Sequence, residues 1–143
     1  MWLKAVLAAC LVTSVVPAHS AAGLTDIARN EHNYVLKLDL LTFVNGNWQG
    51  DANFTISACP RPECFHLSGS LLFPNGGDKA SFAIPRLQCD LHFEEVPRKG
   101  MDSGDYRVTM ISRAHTRNGC ASVPDDLSGV YKEIPSLSGK STP

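Results

Sequence analysis

The chain has 143 residues, with 13 basic and 14 acidic side chains and a formal net charge of −1. So even a balance excludes nucleic acid as the main partner, because phosphate binding needs clustered positive charge. Five cysteines in a chain of this length raise the question of redox compartment first.

Met1-Trp2-Leu3-Lys4 carries one positive charge, and an apolar run follows from Ala5 to Val16, interrupted only by Thr13 and Ser14. Pro17-Ala18-His19-Ser20-Ala21-Ala22 then supplies the small residues that a signal peptidase reads. Ala18 and Ser20 put the cut after Ser20, with Ala22 as the alternative. The apolar run is shorter than the about 20 residues that a bilayer span needs. Residues 1–20 therefore read as a signal peptide, residues 21–134 as one domain and residues 135–143 as a flexible tail. Leu7-Ala8-Ala9-Cys10 has the letters of a bacterial lipobox. Lys4 lies close to it and the apolar run continues past the cysteine, so loss of Cys10 with the leader is the preferred reading. Lys4 also leaves, so 12 basic and 14 acidic residues remain, a formal charge of −2. No later stretch reaches membrane length, and stable membrane insertion is not expected.

Leu24 to Glu31 reads as a lead-in or a short helical turn. Tyr34 to Leu40 is the first strand. From Trp48 to Ala58 the chain alternates, with Trp48, Gly50, Ala52, Phe54, Ile56 and Ala58 on one face and polar residues on the other, a half-buried antiparallel strand. Asn53-Phe54-Thr55 on its wet face is a glycosylation sequon in a eukaryote and carries no meaning in a bacterium. Phe65, Leu67, Gly69, Leu71 and Phe73 form the inner face of the next strand. Pro74-Asn75-Gly76-Gly77-Asp78 is turn chemistry, which predicts a hairpin onto Ala80-Phe82-Ile84. Cys89, Leu91 and Phe93 alternate with Asp90, His92 and Glu94. Residues 98–105 form a polar loop, Tyr106, Val108 and Met110 mark a further strand, and Leu127 to Lys132 is the last. About seven to eight short strands without a long helix give an all-β fold, a single antiparallel barrel or sandwich.

Cys59, Cys64, Cys89 and Cys120 survive processing, and an even number in an exported chain reads as a disulfide framework. Three pairings are open. We favour Cys59–Cys64, closing Pro60-Arg61-Pro62-Glu63, with Cys89–Cys120 as the long-range staple. C-x4-C followed by lone cysteines matches no zinc finger or ribbon, so neither metal nor cofactor is expected.

His32, His66, His92 and His115 sit in no hydrolase or metalloprotease frame. His92 and Glu94 share a strand face, the start of a general-base pair. That face points outward, and a solvated pair is the plainer reading. The chain therefore reads as a non-enzyme. Gly46-Asn47-Trp48 resembles the G-x-W signature of lipocalins, in which the tryptophan closes a barrel that holds a small apolar ligand. Here an earlier strand precedes it, and a turn glycine followed by a core tryptophan explains the same letters.

Cys120 to Asp126, followed by Leu127-Ser128-Gly129-Val130-Tyr131, resembles the carboxy-terminal end of small periplasmic barrels of Gram-negative bacteria. It is similar to the S-G-x-x-Y signature of their inhibitors of C-type lysozyme. One residue, not two, separates Gly129 from Tyr131, and the family's second motif, around Y-x-x-x-T-K-G, is not recognisable. The resemblance covers one strand and the general plan. It implies a periplasmic, or else secreted, inhibitor that plugs the active-site cleft of a peptidoglycan hydrolase. Ser128 would donate a hydrogen bond, Lys132 would pair with the ionised acid, and Tyr131 would position the loop or stack at the rim beside Gly129. The alternatives are a lipocalin-like small-ligand barrel and a structural envelope protein.

Overall fold

A computed structural model of the chain describes residues 24–59, 64–97, 104–137 and 139–140. The signal segment with Cys10, the loop at 60–63 and most of the loop at 98–105 lie outside the described residues. Among the described residues there are eleven strands: β1 (Leu24–Arg29), β2 (Val35–Leu40), β3 (Phe43–Val44), β4 (Asn47–Trp48), β5 (Asp51–Ala58), β6 (Phe65–Leu72), β7 (Lys79–Ala83), β8 (Cys89–Pro97), β9 (Gly104–Ser112), β10 (Gly129–Glu133) and β11 (Gly139–Lys140). No α-helix occurs among the described residues. Eight of the strands form one antiparallel sheet in the order β6-β5-β2-β1-β10-β9-β8-β7, rolled into a nearly closed barrel. β3 and β4 make a separate small hairpin.

Period-two alternation explains the roll. Leu36 and Leu38, then Ala52, Phe54 and Ile56, then Leu91 and Phe93, and Tyr106 and Val108 all face inward and are buried. Each large apolar side chain so buried contributes about 1.5–3 kcal/mol. Phe54 sits at the centre, 4.9 Å from the Phe82 ring and 5.0 Å from the Phe93 ring. These side chains form one packed cluster in the middle of the barrel.

Four local readings of the sequence are corrected. Leu24–Arg29 is neither lead-in nor helix but β1, paired along its whole length with β2 and over its last two residues with β10. Two flanking ladders hold it extended, although its inward set includes the polar Asp26. Trp48 does not begin the long strand. Gly50 stands between them at φ +104°, and a Cβ there would collide with the Phe73 carbonyl, so the chain turns before Asp51.

The turn after Phe73 does not close a hairpin, because β6 and β7 are the two edges of the sheet. The Phe73 amide donates to the Gly50 carbonyl at 2.8 Å, and the Glu95 amide donates to the Asp78 carbonyl at 2.8 Å. These bonds tie the turn across the barrel end and bury the Phe73 ring there. The edges meet instead through side chains, with Gly69 leaving the room that Phe82 fills. Finally, Asp125–Leu127 is a 3₁₀ turn and the last long strand begins at Gly129. Within the segment read as a tail, Gly139 and Lys140 pair with Thr25 and Leu24.

Both expected disulfides are present, Cys59–Cys64 and Cys89–Cys120. Such cross-links belong to an oxidising, extracytoplasmic compartment. No helix among the described residues is long and apolar enough to cross a membrane.

Candidate functional site

Two places on the barrel gather side chains capable of recognition. The first lies on the outer face, where β10 meets β1. Leu127, fully buried, anchors the 3₁₀ turn from below, and the Ser128 amide donates to the Asp125 carbonyl at 3.1 Å. Gly129 follows at φ +133°, a conformation that side chains rarely adopt, with nothing crowding the position of a Cβ. Tyr131 is buried completely, and its hydroxyl donates to the Leu127 carbonyl at 2.5 Å. Burial raises the pKa of that phenol above its ordinary value, so it remains a neutral donor.

Of the four residues singled out on the last strand, three therefore reach the surface and one does not. Ser128 and Gly129 are half-buried and Lys132 is exposed. Tyr131 cannot stack at a rim; it holds the turn from inside.

Sequence reasoning missed two residues here. Arg29 stands directly opposite Lys132 in the β1–β10 register, so the two cations share one outward face. Neither has an ion-pair partner among the described residues. Together with Asn30, Glu31, Gly129 and Val130 they line an open depression of about 500 Å³. Asn30 is the buried polar side chain of this end. Its Nδ2 donates to the Asp126 carbonyl at 2.7 Å, and its Oδ1 accepts from the amides of His32 and Tyr34 at 3.0 and 2.9 Å. The turn between β1 and β2 is thereby tied to the turn before β10. The cluster Asn30-Glu31-His32-Asn33 announces a turn, yet nothing local says which carbonyl it will meet.

The second place is the opposite barrel end. Trp48 leans on Phe73 with ring centroids 5.2 Å apart, and its Nε1 donates to the Asp51 carbonyl at 2.7 Å. Beneath them is a cavity of about 270 Å³, lined by Leu40, Trp48, Phe73, Tyr106, Asp26 and Glu95 among others. The Tyr106 hydroxyl donates to Asp26 Oδ2 at 2.7 Å. Burial raises the pKa of Asp26, opposed by that hydrogen bond and aided by Glu133. Glu95 is raised by burial and then by Asp26, Asp78 and Glu133.

Elsewhere the possible catalytic pair dissolves into cross-strand contacts. Arg107 Nη1 lies 3.0 Å from Glu94 Oε1 and Lys79 Nζ 3.9 Å from Glu94 Oε2, while His92 faces Ser81 across the β7–β8 ladder. Among the described residues no group of three or more histidine, cysteine or acidic side chains is arranged to hold a metal ion. No family model, curated protein or solved structure matches the chain.

Proposed function

We propose that this protein is exported to the periplasm and inhibits a peptidoglycan hydrolase of the C-type lysozyme kind by covering its acidic cleft. The observation that carries the reading is the cation couple Arg29–Lys132, without an ion-pair partner among the described residues and set side by side on the barrel wall next to Gly129. Like charges directly opposite one another across two strands destabilise a sheet. A fold gains from keeping such a pair when a partner supplies the opposite charge. The cleft of a retaining glycoside hydrolase holds one protonated and one ionised carboxyl group. Arg29 offers a planar fork and Lys132 a compact charge to the ionised acid, and the Ser128 hydroxyl can donate to either. Gly129 leaves the adjoining surface bare of a side chain, so the partner's wall can approach the backbone. The two disulfides support action outside the cytoplasm, and the apolar segment at residues 1–20, read as a signal peptide, points the same way.

The test is clearing of a peptidoglycan suspension by a C-type lysozyme with the purified oxidised protein added. Slowed clearing at equimolar protein is expected, with the effect lost in Arg29→Ala/Lys132→Ala and reduced in Ser128→Ala while circular dichroism stays unchanged. Rim charges act through screened Coulomb attraction, so inhibition should weaken as salt rises above 0.1 M, where the screening length is about 10 Å. Undiminished clearing at tenfold molar excess of the wild-type protein, or inhibition indifferent to loss of both cations, removes the reading.

A further inference from the structure

We propose that the cavity under Trp48 is a binding site for a small organic ammonium ion, a function separate from the outer cation couple at the other end of the barrel. The cavity is walled by surface of two kinds. Trp48, Phe73 and Leu40 provide aromatic and aliphatic area, while Asp26 and Glu95 bring carboxylates to the same space from β1 and β8. Among the described residues no lysine, arginine or histidine lines it. No cation among the described residues offsets the negative charge of the site, and burial first, then neighbouring carboxylates, raise the pKa of both acids.

The walls are built rather than incidental. Trp48 is fixed by its indole hydrogen bond and by the Phe73 ring. Gly76, at φ +67°, lets the turn approach Trp48 so closely that a Cβ would stand 2.8 Å from the Trp48 carbonyl oxygen. Tyr106 occupies one oxygen of Asp26 and so orients that carboxylate. The Glu95 side chain has no hydrogen-bond or ion-pair partner among the described residues, and both its oxygens remain acceptors.

A metal ion does not suit these groups, since among the described residues no third acidic or imidazole side chain joins them in a ligand set. An ammonium group does. It donates to Asp26 and Glu95 while its carbon substituent lies against Trp48 and Phe73, and aromatic faces attract cations. At about 270 Å³ the space falls just below the 300–1,000 Å³ usual for drug-sized ligands, which confines the ligand to one ring or a short chain.

Titration calorimetry of the purified oxidised protein with phenethylammonium, and with phenethyl alcohol and 3-phenylpropionate as neutral and anionic controls, tests the proposal. Nuclear magnetic resonance of the Trp48 indole N–H reports whether the cavity is the place. The expected result is binding of the ammonium about tenfold or more tighter than the alcohol, no measurable binding of the carboxylate, and a shifted indole resonance. Glu95→Gln should weaken the ammonium about tenfold and leave the alcohol unchanged; Asp26→Asn should act likewise if it folds. Because the Glu95 side chain has no bonding partner among the described residues, its variant serves alone if the Asp26 variant does not fold. Equal affinity for ammonium and alcohol, an unmoved Trp48 signal at millimolar ammonium, or an unaltered Glu95→Gln affinity overturns it. None of these outcomes bears on lysozyme inhibition, whose residues lie at the far end.

Discussion

The Asn30 side chain, almost wholly buried, bonds to the Asp126 carbonyl at 2.7 Å and so joins two turns that lie at opposite ends of the polypeptide. Its oxygen is used as fully as its nitrogen, which makes the residue a small knot rather than a single strut. Replacing it with alanine strands the Asp126 carbonyl and two amides at once, and also removes a longer bond, 3.5 Å, to the Ser128 carbonyl. Each such buried group costs about 1–3 kcal/mol. Asn30→Ala should therefore lower stability by about 2–4 kcal/mol in urea unfolding, with Asn30→Asp intermediate because it keeps the acceptor but not the donor. A loss under 1 kcal/mol would show that water replaces the knot.

Tyr131 poses the companion question, since its ring fills the core and its hydroxyl grips the Leu127 carbonyl. Tyr131→Phe keeps the packing and removes the bond, for an expected loss of about 1–2 kcal/mol. Tyr131→Ala also opens a cavity and should cost about 3–5 kcal/mol. Chemical denaturation of the pair separates the two contributions, and similar losses in both would contradict the assignment.

The two disulfides should differ in worth. Cys89–Cys120 closes a loop of sequence separation 31, and chain entropy assigns it about 3–4 kcal/mol. Cys59–Cys64, with separation 5, receives about 2 kcal/mol. Paired alanine substitutions compared by thermal unfolding should show the larger drop for the long staple.

The acids at the Trp48 end set a pH trend opposite to that of a salt-bridged carboxylate. The folded-state pKa values of Asp26 and Glu95 lie above their ordinary values, so the folded state holds their protons more tightly than the unfolded chain. Their ionisation therefore costs stability. The penalty is absent below the ordinary carboxyl range, grows as pH rises through the raised values and is complete above them. Glu95→Gln should accordingly raise the melting temperature at neutral pH and give no gain in acid below that range. Scanning calorimetry at the two extremes decides it, and a gain equal at both would point to packing instead of charge.

Much of the barrel is written in alternation, as Ala52, Phe54 and Ile56 or Cys89, Leu91 and Phe93 show, because half-buried strands must sort their faces. β1 escapes that logic. Its inward set of Leu24, Asp26 and Ala28 is hardly more apolar than its outward one, and what keeps it extended is hydrogen bonding to β2 and β10, which no local window contains. The same is true of the seam: a glycine-rich turn after Phe73 suggests a hairpin, yet the bonds that decide its path come from Gly50 and Glu95.

The candidate sites divide in the same way. Ser128, Gly129 and Lys132 stand out as a motif on one strand, whereas Arg29 joins them only through strand register. Asp26 and Glu95, unremarked singly, become neighbours of one cavity only when the sheet rolls.

Both sulfur cross-links lie at the same end of the barrel, where β5 passes to β6 and where β8 begins, while the Trp48 end relies on rings and hydrogen bonds. Breathing of the molecule is thus polarised along the barrel axis. The covalently cinched rim carries the cation couple as a stiff, pre-shaped surface, and the unlaced rim is free to loosen and admit a guest without disturbing it.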